Sequence, residues 1–204
     1  FANKLITEME VKNEYIYLTN DASVKISVTD LMKLSNKEVI DITITSNGNN
    51  PSQMKYTSNS FSAHFVKLGV DTKTGKVKLL KVVTTGDNGK VISPKTARSQ
   101  MLGGVVGGIG MALTEQVQID HTTGQIINSS FGTYQVPLHS MIPPIDVWFV
   151  DKPDYNVNSI GAKGLGEIAL IGFSAAVANA VYNATGKRLR DLPITPEKIN
   201  LKKV

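Results

Sequence analysis

Along the chain the spacing of apolar residues changes rhythm twice, and each change marks a different kind of element. In the first third, residues 14–18 and 24–28 alternate apolar and polar positions, as half-buried strands do, around a polar turn at 20–23. Thr29 is placed to N-cap a short helix over 30–34, and residues 41–45 alternate again as a further strand. Residues 46–60 are polar, include Gly48 and Pro51, and show no period, which predicts a loop. Two longer runs, 63–70 and 76–84, flank Asp71-Thr-Lys-Thr-Gly75 and predict a β-hairpin. After a tight turn at Gly86-Asp-Asn-Gly89, Ser93-Pro94 offers a capping hydroxyl followed by proline at the first helical position. A helix is therefore expected from Pro94 to about Gln116.

Beyond it, Gly124 sits in a turn, and residues 134–136 and 145–150 are strand-like across a proline-bearing loop at 137–144. The alanine-rich stretch 169–185 predicts a helix closed by Gly186, with Pro193 and Pro196 keeping the tail extended. Strands and helices are interspersed without a regular βαβ repeat, so the expected fold class is α+β. The helix from Pro94 holds an anomaly. It contains Gly103, Gly104, Gly107, Gly108 and Gly110, and each interior glycine costs about 1 kcal/mol relative to alanine. Either another element packs closely against it, or something planar or bulky, such as a cofactor, lies across it.

Composition narrows the function classes. The 204 residues are enough for one sizeable core or two small ones, and 41% hydrophobic residues argue against wholesale disorder. Lysines are scattered, and 22 Lys+Arg against 17 Asp+Glu give a net charge of only +5, so a nucleic-acid-binding stripe is not expected. No apolar run is read as approaching the roughly 18 residues of a membrane span. There is no cysteine, which excludes disulfides, thiolate nucleophiles and cysteine-ligated metals on this chain. His64, His121 and His139 match no metal-ligand spacing. The chain opens at Phe1 without an initiator Met, and is expected to be a piece of something longer.

Standard catalytic signatures fail. There is no phosphate-binding P-loop, no dinucleotide glycine spacing and no serine-hydrolase elbow. What remains is Gly161-Ala-Lys-Gly-Leu-Gly-Glu167, whose glycines let backbone N–H groups approach an anion before a helix begins. Glu167 at that junction is either a first-turn acid favoured by the helix dipole or a general base carried on a glycine loop. Lys163 is by default a surface lysine.

Gly161-Ala-Lys-Gly-Leu-Gly-Glu-Ile168, Gly86-Asp-Asn-Gly-Lys-Val-Ile-Ser-Pro94, Ala97-Arg-Ser-Gln100, the glycine-rich run after Gln100 and the tail from Ala184 to Ile199 occur in one order. Together they resemble the xanthine oxidase/aldehyde oxidoreductase family, in the C-terminal part of its molybdenum-cofactor-binding large subunit. The tail is most similar to the bacterial, periplasmic-type aldehyde oxidoreductase branch, and the resemblance runs from about Ser60 to Ile199. It implies that the whole chain, residues 1–204, is the C-terminal part of a molybdopterin-binding domain.

The resemblance further implies a molybdenum hydroxylase that oxidises an aldehyde or N-heterocycle with water as the oxygen source. Glu167 would be the active-site carboxylate and base, Gln100 the amide that hydrogen-bonds the pterin region, and Lys163, Gly164 and Gly166 further cofactor contacts. No side chain is expected to ligate the metal. Gly107 stands where many members have Gln, which bears on purine specificity rather than on cofactor binding. The implied cofactor is molybdenum–molybdopterin, in its cytosine-dinucleotide form in the bacterial branch. Iron–sulfur clusters and FAD are implied on partner subunits, beside the remaining part of the molybdenum subunit. The compartment stays open between cytoplasm and periplasm. Two other readings stand beside it: a folded but non-catalytic fragment, and an α+β module whose glycine loop holds a phosphate or nucleotide.

Overall fold

The computed structural model describes residues 5–45 and 55–199. The chain divides into two compact units, Phe1–Gly48 and Asn49–Val204.

The first unit is a three-stranded antiparallel sheet, β1 (Met9–Lys12), β2 (Tyr15–Leu18) and β3 (Asp21–Ser27), followed by helix α1 (Val28–Leu34). The predicted strand 14–18 starts one residue later, because Asn13 and Glu14 both take positive φ and form the hairpin turn to β1, which the sequence reading missed. The predicted turn at 20–23 is shorter, since β3 already begins at Asp21. Asp21 accepts from the Ser23 N–H (3.0 Å) and Oγ–H (2.6 Å), and these bonds hold its carboxyl below the usual range. Thr29 does not cap α1. Ser27 does, its Oγ accepting from the Asp30 N–H at 3.0 Å, two residues earlier than expected. Residues 41–45 are irregular, and Ile42 and Ile44 are exposed. Alternation there has no partner strand among the described residues, and a strand is stable only when paired. Most of the expected loop 46–60 lies outside the described residues; 57–60 carry no regular structure.

In the second unit β4 (Phe61–Val70) and β5 (Val77–Asp87) form the expected hairpin, and β6 (Ile145–Phe149) adds parallel to β5, giving the order β4-β5-β6. Asp71 closes the turn by accepting from the N–H groups of Lys73 and Thr74, both at 2.8 Å. Helix α2 (Pro94–Leu113), the single-turn α3 (Ile168–Ile171) and α4 (Phe173–Thr185) follow. The short α5 (Pro196–Ile199) replaces the expected extended tail at Pro196, a residue suited to the first turn of a helix. Residues 134–136 do not form a strand.

The core follows from spacing. Met101, Val105 and Ile109 form an i, i+4 ridge on α2, and Phe173, Val177 and Val181 form one on α4; all are fully buried together with Val82 of β5. Each large side chain so buried contributes about 1.5–3 kcal/mol. The α2 glycines sit where this contact is tightest. A Cβ on Gly108 would lie 2.6 Å from Phe173 Cβ, and one on Gly104 2.9 Å from Ala169 Cβ. Close packing within the chain therefore explains these two, whereas Gly103 has nothing within 4 Å.

Three features of the helices differ from expectation. Ser93 makes no side-chain capping bond, although Pro94 does open α2, and α2 ends at Leu113 rather than near Gln116. The predicted helix 169–185 is broken at Gly172, where a Cβ would meet His64 Cδ2 at 2.8 Å. Gly186 closes α4 as expected, in the left-handed conformation with φ 72°. The expectation that no apolar run reaches span length also needs correction. Ile168–Thr185 is 18 residues with mean hydropathy 1.4, long and apolar enough to cross a membrane by composition alone. Its break at Gly172 and the complete burial of Ala169, Phe173, Val177 and Val181 put one face of it in the core.

A candidate cofactor site at the carboxyl ends of the parallel strands

Strands β5 and β6 end side by side, and the segments that leave them build one corner of the second unit. After β5, the turn at Gly89 (φ 66°) runs against the glycine loop so closely that a Cβ on Gly89 would collide with the Gly161 carbonyl. An isolated antiparallel bridge joins Gly89 to Ala162. The Lys163 N–H donates to the Asn88 carbonyl, and the Lys90 N–H to the Gly161 carbonyl, both at 2.8 Å. Gly161 takes φ 76°, which only glycine adopts without strain, and Asn158 folds back to hold it. The Asn158 Oδ1 accepts from the Gly161 N–H at 2.7 Å, and its Nδ2 donates to the Ala162 carbonyl at 2.7 Å. Further on, the Gly164 carbonyl accepts from Ser60 Oγ (2.6 Å) and Asn88 Nδ2 (2.7 Å). Holding Gly164 leaves Asn88 Oδ1 buried beside Gly86 with no partner among the described residues, a desolvation cost of about 1–3 kcal/mol.

Lys163 is not the surface lysine that its residue type suggests. Its side chain is 8% exposed, and its Nζ lies 3.1 Å from Asp87 Oδ1 at the end of β5. The hydrogen bond from Lys163 holds the Asp87 carboxyl below the usual range, with the charges of Lys163 and Lys152 adding to it. The loop is thus tied to β5 by backbone, amide and ion pair before any ligand arrives.

Beside it opens a pocket of about 320 Å³ lined by Lys90, Ser93, Thr96, Gln100, Ala162 and Lys163, among others. The structure therefore brings Gln100 and Lys163, distant in sequence, to one cavity. The N-terminus of α2 faces the same pocket through Ser93, Thr96 and Ala97, and it carries no side-chain cap. Its first N–H groups have no intrahelical acceptor, which is the setting that favours a phosphate. Gly164 and Gly166 are exposed, and a Cβ at Gly166 would meet nothing within 4 Å, so the bare backbone there is not demanded by the chain's own packing. Glu167 is exposed and lies outside the pocket lining, at the N-cap of α3, where its side chain makes no capping bond. Among the described residues no three His, Cys, Asp or Glu converge as a metal site.

Several contributors were invisible at the level of sequence. Asp87 and Asn88 stand in the sequence as turn residues and Ser93 as a helix start, while Lys90, Thr96 and Asn158 carry no role of their own. The Asn158-to-Gly161 spacing was a readable signal for a self-bonded turn; the Asp87–Lys163 pairing was not. An open phosphate-favouring helix end, an exposed amide at Gln100 and a glycine backbone free of side chains fit a phosphorylated planar cofactor.

A family model for the molybdopterin cofactor-binding domain matches residues 4–143, so the likeness extends ahead of Ser60. The chain is 43% identical over 145 residues to the aldehyde oxidoreductase molybdenum-binding subunit PaoC of Escherichia coli strain K12, covering 71% of this chain and 20% of that protein. Among solved structures, the aldehyde oxidoreductase of Desulfovibrio desulfuricans ATCC 27774 matches with TM-score 0.62 and 32% identity, over 69% of this chain and 15% of that one. The quinoline 2-oxidoreductase of Pseudomonas putida 86 matches with TM-score 0.75 and 19% identity, over 97% of this chain and 26% of that one, a likeness of fold alone. The chain thus spans about a fifth of the length of the curated relative it matches. On these grounds the chain belongs to the molybdopterin cofactor-binding domain family, within the xanthine oxidase/aldehyde oxidoreductase group of molybdenum oxidoreductases.

Proposed function

We propose that residues 1–204 act as the C-terminal part of a molybdenum hydroxylase subunit that oxidises a small aldehyde, or an N-heterocycle, with water as the source of oxygen. The observation that carries this reading is the convergence of Gln100, the open N-terminus of α2 and the strapped glycine loop on one pocket. When bound, the molybdenum–pterin group supplies the two-electron oxidation. The chain's own residues bind and orient. The Gln100 carboxamide hydrogen-bonds the pterin, and the amides at the start of α2 with Lys90, Ser93 and Thr96 receive its phosphate. Lys163, Gly164 and Gly166 lay bare backbone along it, Lys163 doing so with its ammonium held on Asp87. A dinucleotide form ending in cytosine suits the aldehyde oxidoreductase branch named above.

Glu167 would serve as the general base, its carboxylate taking the proton of the water that supplies the oxygen. The two-electron oxidation of the substrate C–H bond would belong to the molybdenum–pterin group. The exposure of Glu167 in the chain alone leaves its carboxyl accessible to a pocket completed by the rest of the molybdenum subunit. Electrons leave through iron–sulfur and FAD partners, so the chain by itself is catalytically silent.

Glu167→Gln in the assembled enzyme tests the reading. Removing a general base lowers kcat by about 10²–10⁴-fold, with molybdenum content close to wild type. Activity retained above a few per cent would remove Glu167 from this role. Gln100→Ala is expected to lower cofactor occupancy without unfolding the chain, because Gln100 is exposed; metal and pterin analysis of the purified protein reads this out.

A further inference from the structure

Beneath the first turn of α3 lies a line of polar side chains that the reading above leaves unused. Ser62 and His64 share one face of β4 through the two-residue period of a strand, and the sheet register sets Thr84 of β5 directly opposite His64. Ser62 Oγ donates to the Ile168 carbonyl at 2.9 Å. That uses the hydroxyl's single proton, so its 3.0 Å contact with His64 Nε2 requires the ring nitrogen to be the donor. A neutral imidazole with its proton on Nε2 has a bare Nδ1. Thr84 Oγ1, 2.9 Å from Nδ1, then donates to it. Thr84 is fully buried, and this bond satisfies its hydroxyl.

Every proton along the line is thereby fixed, running from Thr84 through His64 and Ser62 to the carbonyl of Ile168. The surroundings of His64 keep it neutral. Burial pushes it below its ordinary value of 6.5, and among the described residues no charged group contributes to that shift. Its other neighbours are the edge of the Phe173 ring, at 6.1 Å between centroids, and Gly172, whose missing Cβ leaves it room.

The carbonyl at the end of the line belongs to the residue after Glu167. Around it the Ile168 N–H donates to the Leu165 carbonyl (3.2 Å) and the Leu170 N–H to the Glu167 carbonyl (2.9 Å), closing the turn on which Glu167 stands. We propose that Ser62, His64 and Thr84 are positioning residues, a one-directional hydrogen-bond chain, with His64 in the Nε2–H form, that seats Glu167 by anchoring the Ile168 carbonyl to the sheet. The consequence for Glu167 rests on its proposed role as base; the hydrogen-bond chain does not.

Nitrogen NMR of the His64 imidazole in the 204-residue chain near neutral pH tests the proton assignment without any substitution. A proton on Nε2 and a bare Nδ1 are expected; a proton on Nδ1 overturns the proposal. Hydrogen exchange then tests the anchor. In Ser62→Ala the amides of Ile168 and Leu170 are expected to exchange about tenfold faster, the effect of one lost net hydrogen bond. Ser62→Thr, which keeps the hydroxyl, is expected to restore protection. Unchanged exchange in Ser62→Ala overturns the proposal. In the assembled enzyme Ser62→Ala should lower kcat while leaving KM near wild type. Should Glu167→Gln remain active while the imidazole and exchange results hold, the role of Glu167 fails and the anchor stands.

Discussion

Helix α2 and the loop it faces use glycine for opposite purposes at neighbouring positions. At Gly104 and Gly108 the missing side chain lets α3 and α4 press against α2, close enough that a methyl group would meet Ala169 or Phe173. At Gly103 and Gly166 nothing of the chain lies within 4 Å of where a methyl would stand. The first pair serves the core, as the tight contacts with fully buried residues show. The second serves no contact made by the described residues, and one of its members lies on the loop that borders the pocket. Glycine in a helix therefore has to be read by what occupies the vacated space, not by its frequency.

Substitutions break this comparison in graded steps. The largest effect is expected at Gly108→Ala, where overpacking against Phe173 outweighs the gain in helix propensity and lowers stability by about 1–3 kcal/mol, read by denaturant unfolding. A neutral or stabilising result would mean that α4 shifts to accept the methyl. Asp87→Asn comes next. It leaves the buried Lys163 ammonium without its partner, at a loss of about 1–2 kcal/mol after allowing for the partial exposure of Asp87, and it should raise hydrogen exchange across residues 161–167. Gly103→Ala is expected to act in the other direction, raising stability by up to about 1 kcal/mol. If the space beside it belongs to the cofactor, the same substitution lowers molybdenum occupancy; unchanged occupancy would separate Gly103 from the site.

The smallest effect is the pH dependence through His64. Its folded-state value is depressed by burial, so the unfolded chain binds the extra proton first. The stability it contributes is whole above its ordinary value of 6.5 and falls as pH drops through the lowered one. His64→Gln is expected to flatten that slope in thermal unfolding measured on either side of 6.5.

Much of the second unit was legible because its signals are local. Alternation over 63–70 and 76–84 can only be a two-faced strand pair, and Ser93-Pro94 and Gly186 bound helices for steric reasons that need no partner. The first unit was read less well. Its strands are short, none of its described residues is buried, and a weak apolar stripe leaves the register to the turns, so β1 was missed and 41–45 was overread. Motif order put forward Gln100, Glu167 and the glycine loop, and the structure sets Gln100 and Lys163 on one pocket with Glu167 outside its lining. The Ser27 cap, the break at Gly172 and the burial of Lys163 could not be read, because each depends on a neighbour far away in the chain or on a choice between nearby hydroxyls.

By itself, then, the sequence determined the hairpin, the helix opened by Pro94, the close of α4 at Gly186, the absence of any thiol chemistry and the family to which the chain belongs. All of these follow from residue spacing and identity, which act over a few residues. Only the tertiary structure decided which glycines are filled, that Lys163 turns inward to Asp87, that Gln100 shares a pocket with the loop, and that Thr84, His64 and Ser62 line up on the Ile168 carbonyl. Those outcomes rest on distances between segments whose separation in sequence carries no information about their separation in space.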